Sequence, residues 1–140
     1  MTLQSVSRIL VAHPAAVRSW RITLCVLVVA VTWLALTPAP PAPIDTGWDK
    51  ANHLLAFVAL SASACLGFPG SRMRLLAVAA ALLAFGGLIE LLQMALTSRS
   101  AEWGDLLADL AGIALGTLLA RGLGRAGQPH RPSRSRALRR

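Results

Sequence analysis

The chain has 140 residues, of which 55% are hydrophobic and 14% charged, with a formal net charge of +8. Soluble domains carry roughly a quarter charged residues, so this composition excludes an ordinary water-soluble domain and points to a chain built for lipid. The basic residues lie almost entirely outside the apolar stretches, so the positive charge reads as membrane topology, and no nucleic-acid partner is expected.

Four apolar segments follow in chain order, each near the length needed to cross about 30 Å of hydrocarbon. They cover residues 20–37, 51–68, 73–96 and 106–119. The first and fourth are short and borrow interfacial residues such as Trp20, Trp33 and Trp103. Prolines in "TPAPPAPIDTG" separate the first two segments, and "GFPGSR" makes the next turn. A cleaved signal peptide is the competing reading of the first segment, but its leader is long and "TPAP" is a poor cleavage site. The expected fold is therefore all-α, an integral membrane bundle of four transmembrane helices. Residues 1–19 form a cytoplasmic segment, 20–121 the membrane domain, and 122–140 a basic disordered cytoplasmic tail. Cys25 and Cys65 each fall inside an apolar run and give neither a disulfide framework nor metal spacing.

Direction follows from the lysines and arginines. Twelve flank one set of segment ends (Arg8, Arg18, Arg21, Arg72, Arg74 and the seven from Arg121 onward), and only Lys50 and Arg99 fall on the other side. That bias places both termini in the cytoplasm.

With this topology the unusual polar residues converge at the external face. Asp49, Lys50 and His53 open the second segment, Glu90 and Gln93 lie in the last turns of the third, and Arg99, Asp105 and Asp109 surround the start of the fourth. Helical spacing stacks Asp49 over His53, Glu90 over Gln93, and Asp105 and Asp109 over Gly112 and Gly116. Gly112-x-x-x-Gly116 is a small-residue seam, so the acids on its stripe should point toward another helix. These eight residues (Asp49, Lys50, His53, Glu90, Gln93, Arg99, Asp105 and Asp109) are the expected binding set. Ionised groups in a span cost several kcal/mol unless paired or hydrated, which makes them functional candidates. Asp49, Glu90, Glu102, Asp105 and Asp109 face only Lys50 and Arg99, an excess of acid that calls for a cation, shared protons or a basic ligand. No cofactor is evident from the sequence itself. His53, Glu90 and Asp105 are the candidates both for catalysis and for holding a divalent metal. The competing reading is a structural network in which Lys50 and Arg99 neutralise Asp49 and Asp105 while His53 hydrogen-bonds Glu90.

The pattern D-K-x-x-H-x-x-x-F, then E-x-x-Q, then R followed by D-x-x-x-(N/D)-x-x-G-x-x-x-G, resembles the VanZ-like family of small bacterial membrane proteins. Asp49, Lys50, His53, Phe57, Glu90, Gln93, Arg99, Asp105, Asp109, Gly112 and Gly116 carry the resemblance, over about residues 47–121. Asp109 stands where the family usually has asparagine. The resemblance implies a multi-pass protein of the bacterial cytoplasmic (inner) membrane and a cell-envelope role connected with glycopeptide antibiotic resistance. Its implied partners are membrane lipid and a lipid-linked cell-wall precursor or glycopeptide. Three functions follow as expectations: binding of a polar headgroup between Lys50, Arg99 and the acids; an intramembrane enzyme using a His/Glu pair or a metal on an envelope lipid; and a small cation- or proton-coupled transporter.

Overall fold

The computed structural model describes residues 13–37, 48–96 and 102–126. They form four helices: α1 (Pro14–Leu36), α2 (Asp49–Gly67), α3 (Arg72–Leu96) and α4 (Trp103–Ala126). The architecture is an all-α bundle. Arg99, most of the proline linker and residues 127–140 lie outside the described residues, while residues 122–126, expected at the start of the disordered tail, continue α4.

Each helix departs from the apolar segment that announced it, for a local reason. α1 starts six residues before Trp20, because His13 caps it: its Nδ1 accepts from the Ala15 amide at 3.2 Å, and Pro14 fills the first helical position. α4 extends beyond residues 106–119 at both ends. Hydropathy marks the stretch that lipid can cover, whereas the backbone hydrogen bonds of a helix continue into the polar margin.

Three helices are long and apolar enough to cross a membrane: Pro14–Leu36, Arg72–Leu96 and Trp103–Arg125. The chain is thus a multi-pass membrane protein. α2 does not meet that composition, and its position explains why. It is the central helix, packed most extensively against α4 and then α1, and residues 63–67 are buried without interruption. A helix surrounded by other helices needs little lipid-facing surface, so it tolerates Asn52, His53, Ser61 and Ser63. Its 19 residues still reach about 28 Å, nearly a membrane thickness.

The buried stripes follow helical periodicity. α3 buries Leu82, Gly86, Ile89, Glu90 and Gln93, and Asp105, Asp109, Gly112, Ile113, Gly116 and Ala120 form the inner stripe of α4. Close approach of α4 to α2 rests on the two seam glycines. A Cβ at Gly112 would stand 2.6 Å from the Leu54 carbonyl oxygen, and one at Gly116 would collide with Ser61 Oγ and the Val58 carbonyl. Below the polar layer lies the apolar core of Phe57, Leu60, Ala64, Leu82 and Ile113. At the far end Arg21 Nε donates to the Gly67 carbonyl at 2.7 Å, closing the C-terminus of α2, and its guanidinium lies over the Phe68 ring.

Candidate metal centre

The polar layer is assembled at one end of the bundle from the first turns of α2 and α4 and the last turns of α3. His53 sits one turn into α2, Glu90 two turns before the end of α3, and Asp105 and Asp109 in the first two turns of α4. All four are buried, and Asp109 has no exposed surface.

His53 is held from both sides. Its Nδ1 is 2.8 Å from Asp109 Oδ1, and its Nε2 is 3.6 Å from Glu90 Oε1. Only the first distance is a hydrogen bond. The expected His53–Glu90 hydrogen bond is therefore replaced by one to Asp109. Helical spacing put all three side chains on inward faces but said nothing of helix separation. The Gly112–Gly116 seam brings α4, rather than α3, within bonding reach of α2.

Glu90 is also divided between two directions. Its Oε2 accepts from the Glu102 backbone amide at 3.3 Å, while Oε1 is buried without a hydrogen-bond partner. Asp105 Oδ1 and Asp109 Oδ2 are likewise buried and without a hydrogen-bond partner. A buried charged oxygen left in this condition costs several kcal/mol, so three of them in one layer require a physical explanation. His53, Glu90 and Asp105 each offer one ligand atom, and these atoms lie within 4.8 Å of one another.

That donor set fits a divalent metal. Around an ion with bonds of about 2.1 Å, tetrahedral donors stand roughly 3.4 Å apart. The 3.6 Å between His53 Nε2 and Glu90 Oε1 already has that spacing. One imidazole with two carboxylates is a mixed nitrogen and oxygen set suited to Zn²⁺ or Mn²⁺, and three protein ligands leave a coordination position open to water.

Lys50 occupies the rim. Its Nζ is 2.6 Å from Glu102 Oε2 and 3.9 Å from Asp105 Oδ1. The hydrogen bond and charge of Lys50 hold the Glu102 carboxyl below the ordinary carboxylate range, and the same hydrogen bond raises the Lys50 ammonium above the ordinary lysine value. Glu102 was expected only as one of the five acids in excess over Lys50 and Arg99, outside the binding set. It is instead the residue that both orients Glu90 through its amide and engages Lys50 through its side chain. Its position just ahead of α4, where its carbonyl accepts from the Asp105 amide, is the signal that could have found it.

Of the remaining expected residues, Asp49 and Gln93 flank the layer, and Arg99 lies outside the described residues. Asp49 lies in the first turn of α2, where a carboxylate complements the helix dipole. Gln93 Nε2 donates to the Ala35 carbonyl at 3.0 Å, which ties α3 to the end of α1. No serine or cysteine of the described residues shares the layer. Ser61 is eight residues beyond His53 along α2, about 12 Å deeper, and Ser63 and Cys65 lie further still. Compared with protein-family models, with curated proteins and with solved structures, the chain matches none.

Proposed function

We propose that the chain is a membrane-embedded metalloenzyme whose His53/Glu90/Asp105 centre holds a divalent ion and hydrolyses a phosphate-bearing headgroup of an envelope lipid. One observation carries this reading. Three potential ligand atoms converge within 4.8 Å while the outward atoms of His53 and Glu90 are already taken by Asp109 and the Glu102 amide. Ligands braced from behind in this way are characteristic of metal centres. Water is the nucleophile the layer allows, since it contains no described serine or cysteine. Its oxygen bonds to phosphorus, the bond from phosphorus to the leaving oxygen breaks, and the water proton ends on that oxygen. Lys50 supplies the anion contact: a phosphate oxygen exchanging with the Glu102 carboxylate would lie beside Asp105.

The topology belongs to the same proposal. α2 completes a fourth crossing, both termini are cytoplasmic, and the centre opens outward in the bacterial cytoplasmic membrane. The motif residues support a divergent VanZ-like protein, with a lipid-linked cell-wall precursor as the substrate class and glycopeptide resistance as its cellular consequence.

The test uses the full chain in lipid nanodiscs, stripped with chelator and reloaded with Zn²⁺ or Mn²⁺. A single equivalent of metal should be retained, and phosphate or headgroup should be released from vesicles carrying a polyprenyl diphosphate. Metal retention without turnover would reduce the protein to a headgroup-binding accessory. Failure to retain either ion would remove the centre altogether.

A further inference from the structure

Asp109 is the most deeply buried acid of the layer, yet it lies outside the three-ligand group. Its Oδ1 is 2.8 Å from His53 Nδ1, and a carboxylate can only accept there, so the ring proton of a neutral His53 belongs on Nδ1. Nε2 is then a free lone pair, and it is the nitrogen that faces Glu90. The other oxygen, Oδ2, is enclosed without a hydrogen-bond partner against α3, where a Cβ on Gly86 would collide with it and would also crowd the Phe57 ring. The missing side chain at Gly86 therefore makes the slot in which the Asp109 carboxylate is fixed.

We propose that Asp109 is a positioning residue: it holds the His53 proton on Nδ1 and thereby presents Nε2 as the metal-binding atom. This rests on the metal centre proposed above. The requirement is for an acceptor at this point, and an asparagine could meet it through its amide oxygen.

Two independent readouts test it on the full chain in nanodiscs. In the metal-free wild-type protein, ¹⁵N spectra of labelled histidine, with His53 assigned by its loss in His53→Gln, should show the Nδ1–H form of the neutral ring. An Nε2–H ring would overturn the proposal without any variant at Asp109. In Zn²⁺ titrations Asp109→Leu should bind roughly 10- to 100-fold more weakly, the usual cost of losing such a supporting hydrogen bond. Asp109→Asn should stay within a few-fold of wild type. A folded Asp109→Leu with wild-type Zn²⁺ affinity would overturn the positioning role while leaving the centre intact. Conversely, a wild-type chain with an Nδ1–H ring that took up no Zn²⁺ would overturn the metal reading and leave the Asp109–His53 assignment standing.

Discussion

Glu90 and Asp105 differ from ordinary surface acids in that each keeps a buried oxygen without a hydrogen-bond partner beside His53. Replacing one carboxylate by its amide keeps shape but removes a ligand, so Glu90→Gln and Asp105→Asn should each abolish metal retention while the chain still inserts and folds. Metal content per chain after gel filtration, read beside the circular dichroism of the same samples, checks this. The rim pair behaves differently. Glu102 has a lowered folded value, so its contribution is present above the ordinary glutamate value and fades as pH falls through its own lower one. Lys50 has a raised value, so its contribution is present below the ordinary lysine value and is lost as pH rises through its own higher one. The latch is closed between those limits, and because both groups are exposed its contribution to stability is small. Hydrogen exchange at the Glu102 amide, corrected for its intrinsic pH dependence, should speed up in acid and in Glu102→Gln at neutral pH. The membership of the layer was legible in the sequence because a 3.6-residue repeat converts spacing into faces. The pairing was not, since nothing in the spacing of His53, Glu90 and Asp109 states which helix comes closer.

The element that decides the pairing is the α2–α4 contact. Gly112 and Gly116 sit where any Cβ meets backbone of α2, whereas Gly87 and Gly122 have nothing within 4 Å of the added atom. Gly112→Ala must move α4 away from α2, at a cost of about 1–3 kcal/mol for overpacking. The same displacement lengthens the His53–Asp109 hydrogen bond, so metal affinity should fall along with stability. Gly87→Ala and Gly122→Ala should leave both unchanged, and Ala is the better helix former. Thermal unfolding in nanodiscs, with Zn²⁺ titration of the same three variants, separates the two groups. The seam itself was readable as a small-residue motif. What could not be read was the rank of α2. Residues 51–68 read as one span among four, and only the enclosure of α2 by other helices shows why a central helix can carry serine, asparagine and histidine.

Over the whole molecule the two ends of the bundle are chemically opposite. Hydrogen bonds from Gln93 to Ala35, from the Glu102 amide to Glu90 and from Lys50 to Glu102 gather the end of α1, the start of α2, the end of α3 and the start of α4 at one pole. Trp48 and Trp103 stand exposed there, as interfacial tryptophans do. Arg21 bonded to Gly67 marks the other pole, shared by Arg18, Arg72, Arg74, Arg121 and Arg125 at the corresponding helix ends. Among the described residues the arginine asymmetry counted along the sequence is thus also an asymmetry in space, the kind of arrangement that biases which face of a bundle stays on the cytoplasmic side. Four crossings follow if α2 spans with the rest, and the direction of all four can be read by chemical labelling. In a chain with Cys25 and Cys65 replaced by alanine, single cysteines at Ala42 and Ser100 should react with an impermeant maleimide in intact cells. Cysteines at Ser71 and Ser133 should react only after the membrane is opened. Labelling of Ser71 in intact cells would turn the metal centre toward the cytoplasm, where an envelope lipid headgroup on the outer leaflet could not reach it. The chemistry of the layer would survive that result, but its proposed substrate would not.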